Sequence, residues 1–229
     1  MASPAPEQLL SNLDPKASQN ASIDIVLVAG IGTPECKKWP FDNFEWLAAN
    51  LPSGIHVLRV LRFEQISWKD KKFSWEAFVK EQGHQLSEKI NTACLEDGKN
   101  SRPVLYVCHS LGGMLLKKCI DIARHRNGRT DQLFLDTIAA ILFISTPHRH
   151  PQKTKTHELF REVFEAINGN SIKWEKNAKT DEGKKHDNEV LVKLADRFDD
   201  SFPNKKILYT YETTPKPVRT YHLSFYPDS

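Results

Sequence analysis

The feature of this sequence that most constrains its fold is the alternation of short apolar runs with longer stretches of helical periodicity. The apolar runs are rich in β-branched residues, as buried strands are, and the segments between them space their apolar side chains as amphipathic helices do. The predicted strands are residues 23–30, 55–61, 103–108, 137–145 and 205–213, and the predicted helices are residues 41–51, 74–95, 111–126, 157–167 and 188–202. This alternation predicts βαβ units, and hence a three-layer α/β fold with a mostly parallel sheet and helices on both faces.

The size and composition of the chain are those of one ordinary globular domain. It has 229 residues, of which 39% are apolar and 27% charged, and its net charge of +3 is too small to indicate a nucleic-acid-binding protein. Residues 1–22 are rich in Pro, Ser, Ala and Asn and are predicted to be a flexible tail, with one domain over residues 23–229. The N-terminus lacks the pattern of a signal peptide, and no segment has the roughly 20 apolar residues of a membrane span. We therefore expect a cytoplasmic protein.

The cysteines and the known binding motifs give no indication of a cofactor. The four cysteines are too widely spaced to suggest a zinc site, and Cys108 and Cys119 lie among apolar residues, which predicts buried free thiols. The sequence contains neither a P-loop nor a dinucleotide-binding fingerprint. It therefore indicates no metal and no cofactor.

Ser110 lies where the third predicted strand gives way to a helix, in the segment VLYVCHSLGGMLLKK at residues 104–118. Ligands of parallel α/β sheets bind beyond the carboxyl ends of the strands. A serine in a tight strand–turn–helix elbow projects its Oγ above the sheet, and the N–H of the next residue, here Leu111, points to where an oxyanion forms. Such an elbow requires small residues two positions before and after the serine, which here are Cys108 and Gly112. Ser110 is therefore a candidate nucleophile, and the alternative is that it only caps the helix.

Four segments in sequence order resemble one group of α/β-hydrolases: VCHSLGGMLLKKCI, ILFISTPHRH, NEVLVKLADRF and ILYTYETTP. The group is that of the lipase-like serine esterases related to serine-active-site-containing proteins and GPI inositol-deacylases. The chain most resembles the hydrolase-like N-terminal domain of many fungal NOD-like receptors, over about residues 23–215. The resemblance implies an α/β-hydrolase fold and a carboxylic, lipid-like ester as substrate. For the receptor group it also implies attached receptor domains or a protein partner.

The chain departs from the family pattern in two loops near Ser110. Ala29 stands where the family usually has a histidine, in the loop after the first strand. The backbone N–H of Ile31 in that loop is still implied as the second oxyanion donor, because a backbone group survives a change of side chain. Ser145 and His150 stand where the family tends to have glycines, so we expect them to crowd the loop after the fourth strand.

The resemblance implies a catalytic acid and a catalytic base in addition to Ser110. The resemblance implies that Glu212, at the end of the fifth strand, is the acid, and the alternative is an ordinary polar residue leaving a strand. Only 17 residues follow Glu212, too few for a crossover, another parallel strand and a histidine loop. The fold is therefore expected to be truncated at its C-terminal end, with at most an edge extension there. His222 is the one histidine after Glu212 and the candidate base in the order serine, acid, histidine; His148 is the alternative base.

Residues 150–187 occupy the position of the cap that α/β-hydrolases insert over the pocket, and we expect a cap or a variable insertion there. The apolar stripe at residues 157–167 is typical either of a lid helix over a lipid-like substrate or of a helix packed on the core. The polar segment NAKTDEGKKHDN, at residues 177–188, is predicted to be an exposed loop.

Two functions of different classes follow from these patterns. The first is a serine esterase in which Ser110 attacks the substrate. The second is a catalytically incomplete hydrolase-fold domain that acts as an effector or protein-interaction module. A histidine that can serve Ser110 separates the two, because a serine without a base retains little activity.

Overall fold

The computed structural model describes residues 23–30, 57–63, 73–95, 102–147, 156–158, 161, 180–199, 206–212 and 221–224. The elements within these residues are, in chain order, β1 (Ile23–Val28), β2 (Val57–Phe63), α1 (Trp75–Leu95), β3 (Val104–His109), α2 (Gly112–Arg126), α3 (Arg129–Thr137), β4 (Ile138–Ile144), α4 (Asp181–Asp199), β5 (Lys206–Glu212) and β6 (Tyr221–Ser224).

The six strands form one sheet in the order β2-β1-β3-β4-β5-β6. All neighbouring pairs from β2 to β5 are parallel, and β6 pairs with β5 in the antiparallel sense. The predicted mostly parallel sheet is therefore confirmed. The chain after Glu212 adds an antiparallel edge strand, which needs only a short connection, whereas a further parallel strand would need a long crossover.

Both faces of the central strand β1 are buried, as a three-layer fold requires. On β1, Val26 and Val28 belong to the core cluster that the sheet forms with the described helices. Ile25 and Leu27 alternate with them, so they lie on the opposite face, and each is only 1% exposed. The helix predicted for residues 41–51 lies outside the described residues.

Helices α1, α2 and α4 pack side by side and run in the same direction, from the carboxyl edge of the sheet back to its amino edge. The Cys119 thiol on α2 donates a hydrogen bond to the Gly83 carbonyl of α1 over 3.2 Å. Arg197 on α4 donates to the Asp121 carboxylate of α2, also over 3.2 Å. Trp75, Gly112 and Asn188 lie seven to nine residues before these contacts on their respective helices. The three residues are therefore at nearly the same level along the helix axes.

Helix α4 begins at Asp181, so the prediction of an exposed loop over its first residues is wrong. The tertiary contacts of this polar segment explain the difference. The Asp187 side chain is only 5% exposed and accepts hydrogen bonds from the backbone N–H groups of Trp75 and Glu76, at the start of α1. The neighbouring His186 Nε2 lies 2.9 Å from a Glu76 carboxylate oxygen. These contacts hold α4 against α1, although its first turns carry no apolar stripe.

Helix α3 was not predicted, because a strand was expected to follow α2 after a loop. Asn127 adopts a left-handed φ of 49° and ends α2. The Gly128 N–H then donates to Asp131 Oδ2 over 3.3 Å, which begins a second helix at once. The ring of Phe134 on α3 packs edge-on against Tyr106 on β3 and fixes this helix to the core.

Cys108 and Cys119 are buried free thiols, as predicted. None of the described helices is long and apolar enough to span a membrane. No group of three or more His, Cys, Asp or Glu side chains in this part of the chain is placed to hold a metal ion.

Candidate active site

Ser110 occupies a strained turn between β3 and α2. Its φ is +50°, in the left-handed region that residues with a Cβ seldom adopt. Two backbone hydrogen bonds fix the turn: the Ser110 N–H donates to the Ile144 carbonyl at the end of β4 over 2.9 Å, and the Gly113 N–H donates to the Ser110 carbonyl over 3.2 Å. A serine held in this way at the carboxyl end of a central parallel strand has the geometry of a nucleophile elbow.

The elbow forms because small residues surround it. A Cβ on Gly112 would overlap the Val28 carbonyl oxygen and would lie 2.7 Å from the Ala29 carbonyl oxygen. A Cβ on Gly30 would lie 2.7 Å from the Ser110 Cβ. The elbow, the order of the strands and the helical layer together give the chain an α/β-hydrolase fold.

Cys108 replaces the usual first glycine of the elbow and is accommodated inside the core, where its side chain is fully buried. Burial raises the pKa of its thiol well above the ordinary value, and burial likewise raises the pKa of Cys119. Neither sulfur is therefore a nucleophile at neutral pH, because the reactive form of cysteine is the thiolate.

The first candidate oxyanion donor, the Leu111 backbone N–H, lies next to Ser110 at the start of α2. It has no hydrogen-bond acceptor among the described residues. The second candidate donor, the Ile31 N–H, lies outside the described residues. Its preceding residue, Gly30, contacts the elbow at Ser110.

No described side chain donates to or accepts from the Ser110 hydroxyl. His148, the alternative base, lies outside the described residues. It follows Pro147, the last described residue after β4, which is the strand next to that of Ser110.

The backbones of Glu212 and His222 are placed by the pairing of β5 with β6. Tyr211 is opposite His222 and Glu212 is opposite Tyr221. Opposite residues share a face and adjacent residues alternate, so positions 212 and 222 fall on different faces of the sheet. Strand β6 is also three strands from β3, or about 14 Å at the usual strand spacing. The side chains of Glu212 and His222 lie outside the described residues, so the roles of Glu212, His222 and Ser110 stay predictions.

Ser145 and Thr146, directly after β4, flank the elbow on its other side. Ser145 has a φ of +47°, and its Oγ and the Thr146 Oγ1 are both buried, with no hydrogen-bond partner in the described part of the chain. The Thr146 side chain packs on Gly113, where an added Cβ would lie 2.5 Å from the Thr146 Oγ1. The sequence marked Ser145 only as a bulky replacement for glycine and gave no signal for Thr146.

The first turns of α4 form a wall next to the site. Since Asn188 is level with Gly112, residues 181–187 extend about 10 Å beyond the elbow at the helical rise per residue. The Asn188 Oδ1 accepts a hydrogen bond from the His157 backbone N–H over 3.1 Å. His157 is thereby held at about the same level as the elbow.

Three solved structures similar to this chain are a phospholipase, a lipase and a thioesterase. Phospholipase PlaB from Legionella pneumophila is 10% identical with a TM-score of 0.43, and the match covers 82% of this chain and 38% of PlaB. Lipase BlEst2 from Bacillus licheniformis is 18% identical with a TM-score of 0.42, over 88% of this chain and 67% of the lipase. The RedJ thioesterase from Streptomyces coelicolor is 16% identical with a TM-score of 0.34, over 79% of this chain and 60% of RedJ.

These similarities are too distant to carry an argument about function, because every TM-score is below 0.5. The chain also spans little more than a third of the length of PlaB. No protein-family model matches the sequence, and no curated protein does.

Proposed function

We propose that the protein is a serine hydrolase that cleaves a carboxylic ester with Ser110 as nucleophile. The observation that carries this proposal is the left-handed φ of Ser110 in the turn between β3 and α2. Backbone strain of this kind costs free energy and persists where the surrounding structure enforces it, which is common at reactive serines. A serine that merely capped α2 would need no such strain, because N-cap residues ordinarily have extended backbone.

In the proposed reaction, the Ser110 Oγ attacks the ester carbonyl carbon while a base takes its proton. The carbonyl oxygen becomes an oxyanion, which the N–H groups of Leu111 and Ile31 stabilise. The tetrahedral intermediate expels the alcohol, which receives the proton from the base, and leaves an acyl group on Ser110. Water then hydrolyses this acyl-enzyme with the same base. The Leu111 N–H, which has no acceptor among the described residues, supports the first of these donor roles.

Two histidines are candidates for the base, and the strand register favours His148. His148 follows β4 in the sequence, and β4 is adjacent to β3, at the usual strand spacing of about 5 Å. His222 lies on β6, which is three such spacings from β3. Glu212 is the candidate acid in either case. The lipid-like character of the substrate rests on the sequence resemblance.

A second candidate function is that of a non-catalytic effector or protein-interaction domain related to the fungal receptor modules. Its specific support is that positions 212 and 222 lie on different faces of the β5–β6 pair. Under this hypothesis the elbow persists as a structural turn, and the chain has a protein partner instead of a substrate.

The test is hydrolysis of p-nitrophenyl butyrate by the wild type and by Ser110→Ala and Ser110→Gly, each with its folding checked by circular dichroism. Loss of a catalytic serine lowers kcat by about 10⁴-fold or more. We expect this loss in both variants, and a comparable loss in His148→Ala but not in His222→Ala. A folded wild type that hydrolyses no ester, or one whose rate is unchanged by Ser110→Gly, would favour the second candidate.

A further inference from the structure

Two buried hydroxyls beside the elbow, those of Ser145 and Thr146, are expected to lower the stability of the native state, and the fold gives no reason for them. Thr146 is only 4% exposed, and neither its Oγ1 nor the Ser145 Oγ has a hydrogen-bond partner among the residues that the structure describes. Buried polar groups are nearly always paired, and an unpaired one destabilises the native state relative to an apolar side chain of the same shape. A ligand oxygen bound beside them would supply the missing partner.

Both hydroxyls lie on the β4 side of Ser110, away from the candidate oxyanion donors. Gly112 packs against the carbonyl oxygens at the end of β1, whereas Gly113 packs against Thr146 after β4. Ser145 follows Ile144, whose carbonyl accepts the Ser110 N–H. An ester whose carbonyl oxygen pointed to the β1 side would therefore extend another part of its structure toward Ser145 and Thr146.

The chemistry of this region fits a neutral oxygen-bearing group. A hydroxyl both donates and accepts, so two of them can bind a substrate hydroxyl or carbonyl. The start of α2 adds a partial positive charge that favours an acceptor oxygen. Lys117 is the first charged residue of α2. Its Nζ is enclosed between two aromatic rings, 5.5 Å from the Phe143 centroid and 4.9 Å from the Phe198 centroid. The charge of Lys117 is therefore not presented to a ligand beside Ser145 and Thr146.

We propose that Ser145 and Thr146 form a polar subsite that binds a neutral oxygen substituent of the substrate. This inference rests on the proposed function and deepens it. It narrows the substrate class from esters in general to esters that carry a hydroxyl or a second carbonyl a few bonds from the scissile group. Under this proposal, Ser145 and Thr146 determine specificity, and the bond-breaking step remains the task of Ser110.

The test uses two pairs of esters that differ only by a hydroxyl in place of a methyl group. On the alcohol side they are 2-hydroxyethyl butyrate and propyl butyrate, and on the acyl side methyl 3-hydroxybutanoate and methyl 3-methylbutanoate. A site built to bind a hydroxyl discriminates strongly against the analogue that lacks it, so we expect the hydroxyl member of one pair to be preferred by about 10-fold or more in kcat/KM.

The variants assign that preference to the two side chains. Thr146→Val keeps the shape but removes the hydroxyl, and Ser145→Gly removes a hydroxyl while suiting the left-handed backbone. The double variant is expected to lose the preference while it still hydrolyses the methyl member of the pair. Thr146→Ser, which keeps the hydroxyl, is the matched control and is expected to retain the preference.

The outcomes separate this inference from the proposed function. A wild type that hydrolyses both members of both pairs equally well would overturn the subsite and leave Ser110 as the nucleophile. A preference that survives in the folded double variant would overturn it as well. A wild type that hydrolyses none of the four esters nor p-nitrophenyl butyrate would overturn the proposed function, and the subsite with it.

Discussion

Replacing Gly112 by alanine sets two known effects against each other. Within a helix, alanine is favoured over glycine by about 1 kcal/mol, so the change should stabilise α2 if nothing else intervened. In this structure the added Cβ would overlap the Val28 carbonyl oxygen and would lie 2.9 Å from the Ala29 carbonyl carbon. Both are backbone atoms at the end of β1, and they cannot move without the strand.

The steric effect is expected to win. Forcing an extra methyl group into a well-packed interior lowers the free energy of unfolding by about 1–3 kcal/mol. Because the atoms next to Gly112 belong to the backbone and cannot easily move, we expect a loss at the upper end of this range. The net destabilisation is then about 1–2 kcal/mol, or about 5 °C in Tm for a domain of this size. The displaced end of β1 also carries Gly30 away from Ser110, and a shift of about 1 Å in an active site lowers rates by about 100-fold.

The assay combines thermal unfolding with the rate of Ser110 modification by a fluorophosphonate. The matched control is Gly183→Ala, in the first turn of α4, where the glycine is only half-buried. That control is expected to be as stable as the wild type or slightly more stable, with an unchanged modification rate. A Gly112→Ala protein that is more stable than the wild type would refute the close packing of α2 on β1.

Two further predictions concern α4. Burial raises the pKa of Asp187 from 3.8 to about 6, so the native state holds this proton to a higher pH than the unfolded chain does. The free energy of unfolding should therefore fall by up to about 3 kcal/mol as the pH rises from about 4 to about 6. Asp187→Asn should abolish this fall in urea titrations, whereas Asp181→Asn, at a fully exposed site, should not; parallel pH profiles of wild type and Asp187→Asn would contradict the assignment. Phe198 packs edge-on against Phe143 at 5.6 Å, and Phe198→Ala should cost about 4 kcal/mol in the same titrations, against less than about 0.5 kcal/mol for Leu133→Ala at the surface. An equal cost for both would show that α4 is not part of the core.

Much of the sheet could be predicted from the sequence, because its central strands β1 and β3 are almost entirely buried and read as continuous apolar runs. The bounds predicted for β3, β4 and β5 differ from those observed by one residue at each end. The elbow was predictable for a similar reason: a nucleophile turn requires small residues at fixed positions, and Cys108 and Gly112 meet that local requirement. These features depend on neighbours in the sequence, so the sequence displays them.

The features that could not be predicted depend on partners far along the chain. The first turns of α4 look like an exposed loop because their stabilising contacts are with Trp75 and Glu76, about 110 residues earlier. The unpaired hydroxyl of Thr146 is likewise invisible in the sequence, since a threonine after a strand usually finds a partner. The face on which Glu212 lies relative to His222 depends on the register of an antiparallel pair, which the length of the connection did not determine.

The activation of Ser110 is tested most directly by the intact mass of the purified wild-type protein after incubation with an excess of a fluorophosphonate. A nucleophile elbow with a working base should yield one adduct per chain, located on Ser110 by peptide mapping. The adduct should be absent in Ser110→Gly and present in Ser145→Gly, which removes the neighbouring hydroxyl at a similar left-handed φ. A folded wild type that gains no mass under these conditions would contradict the serine hydrolase assignment.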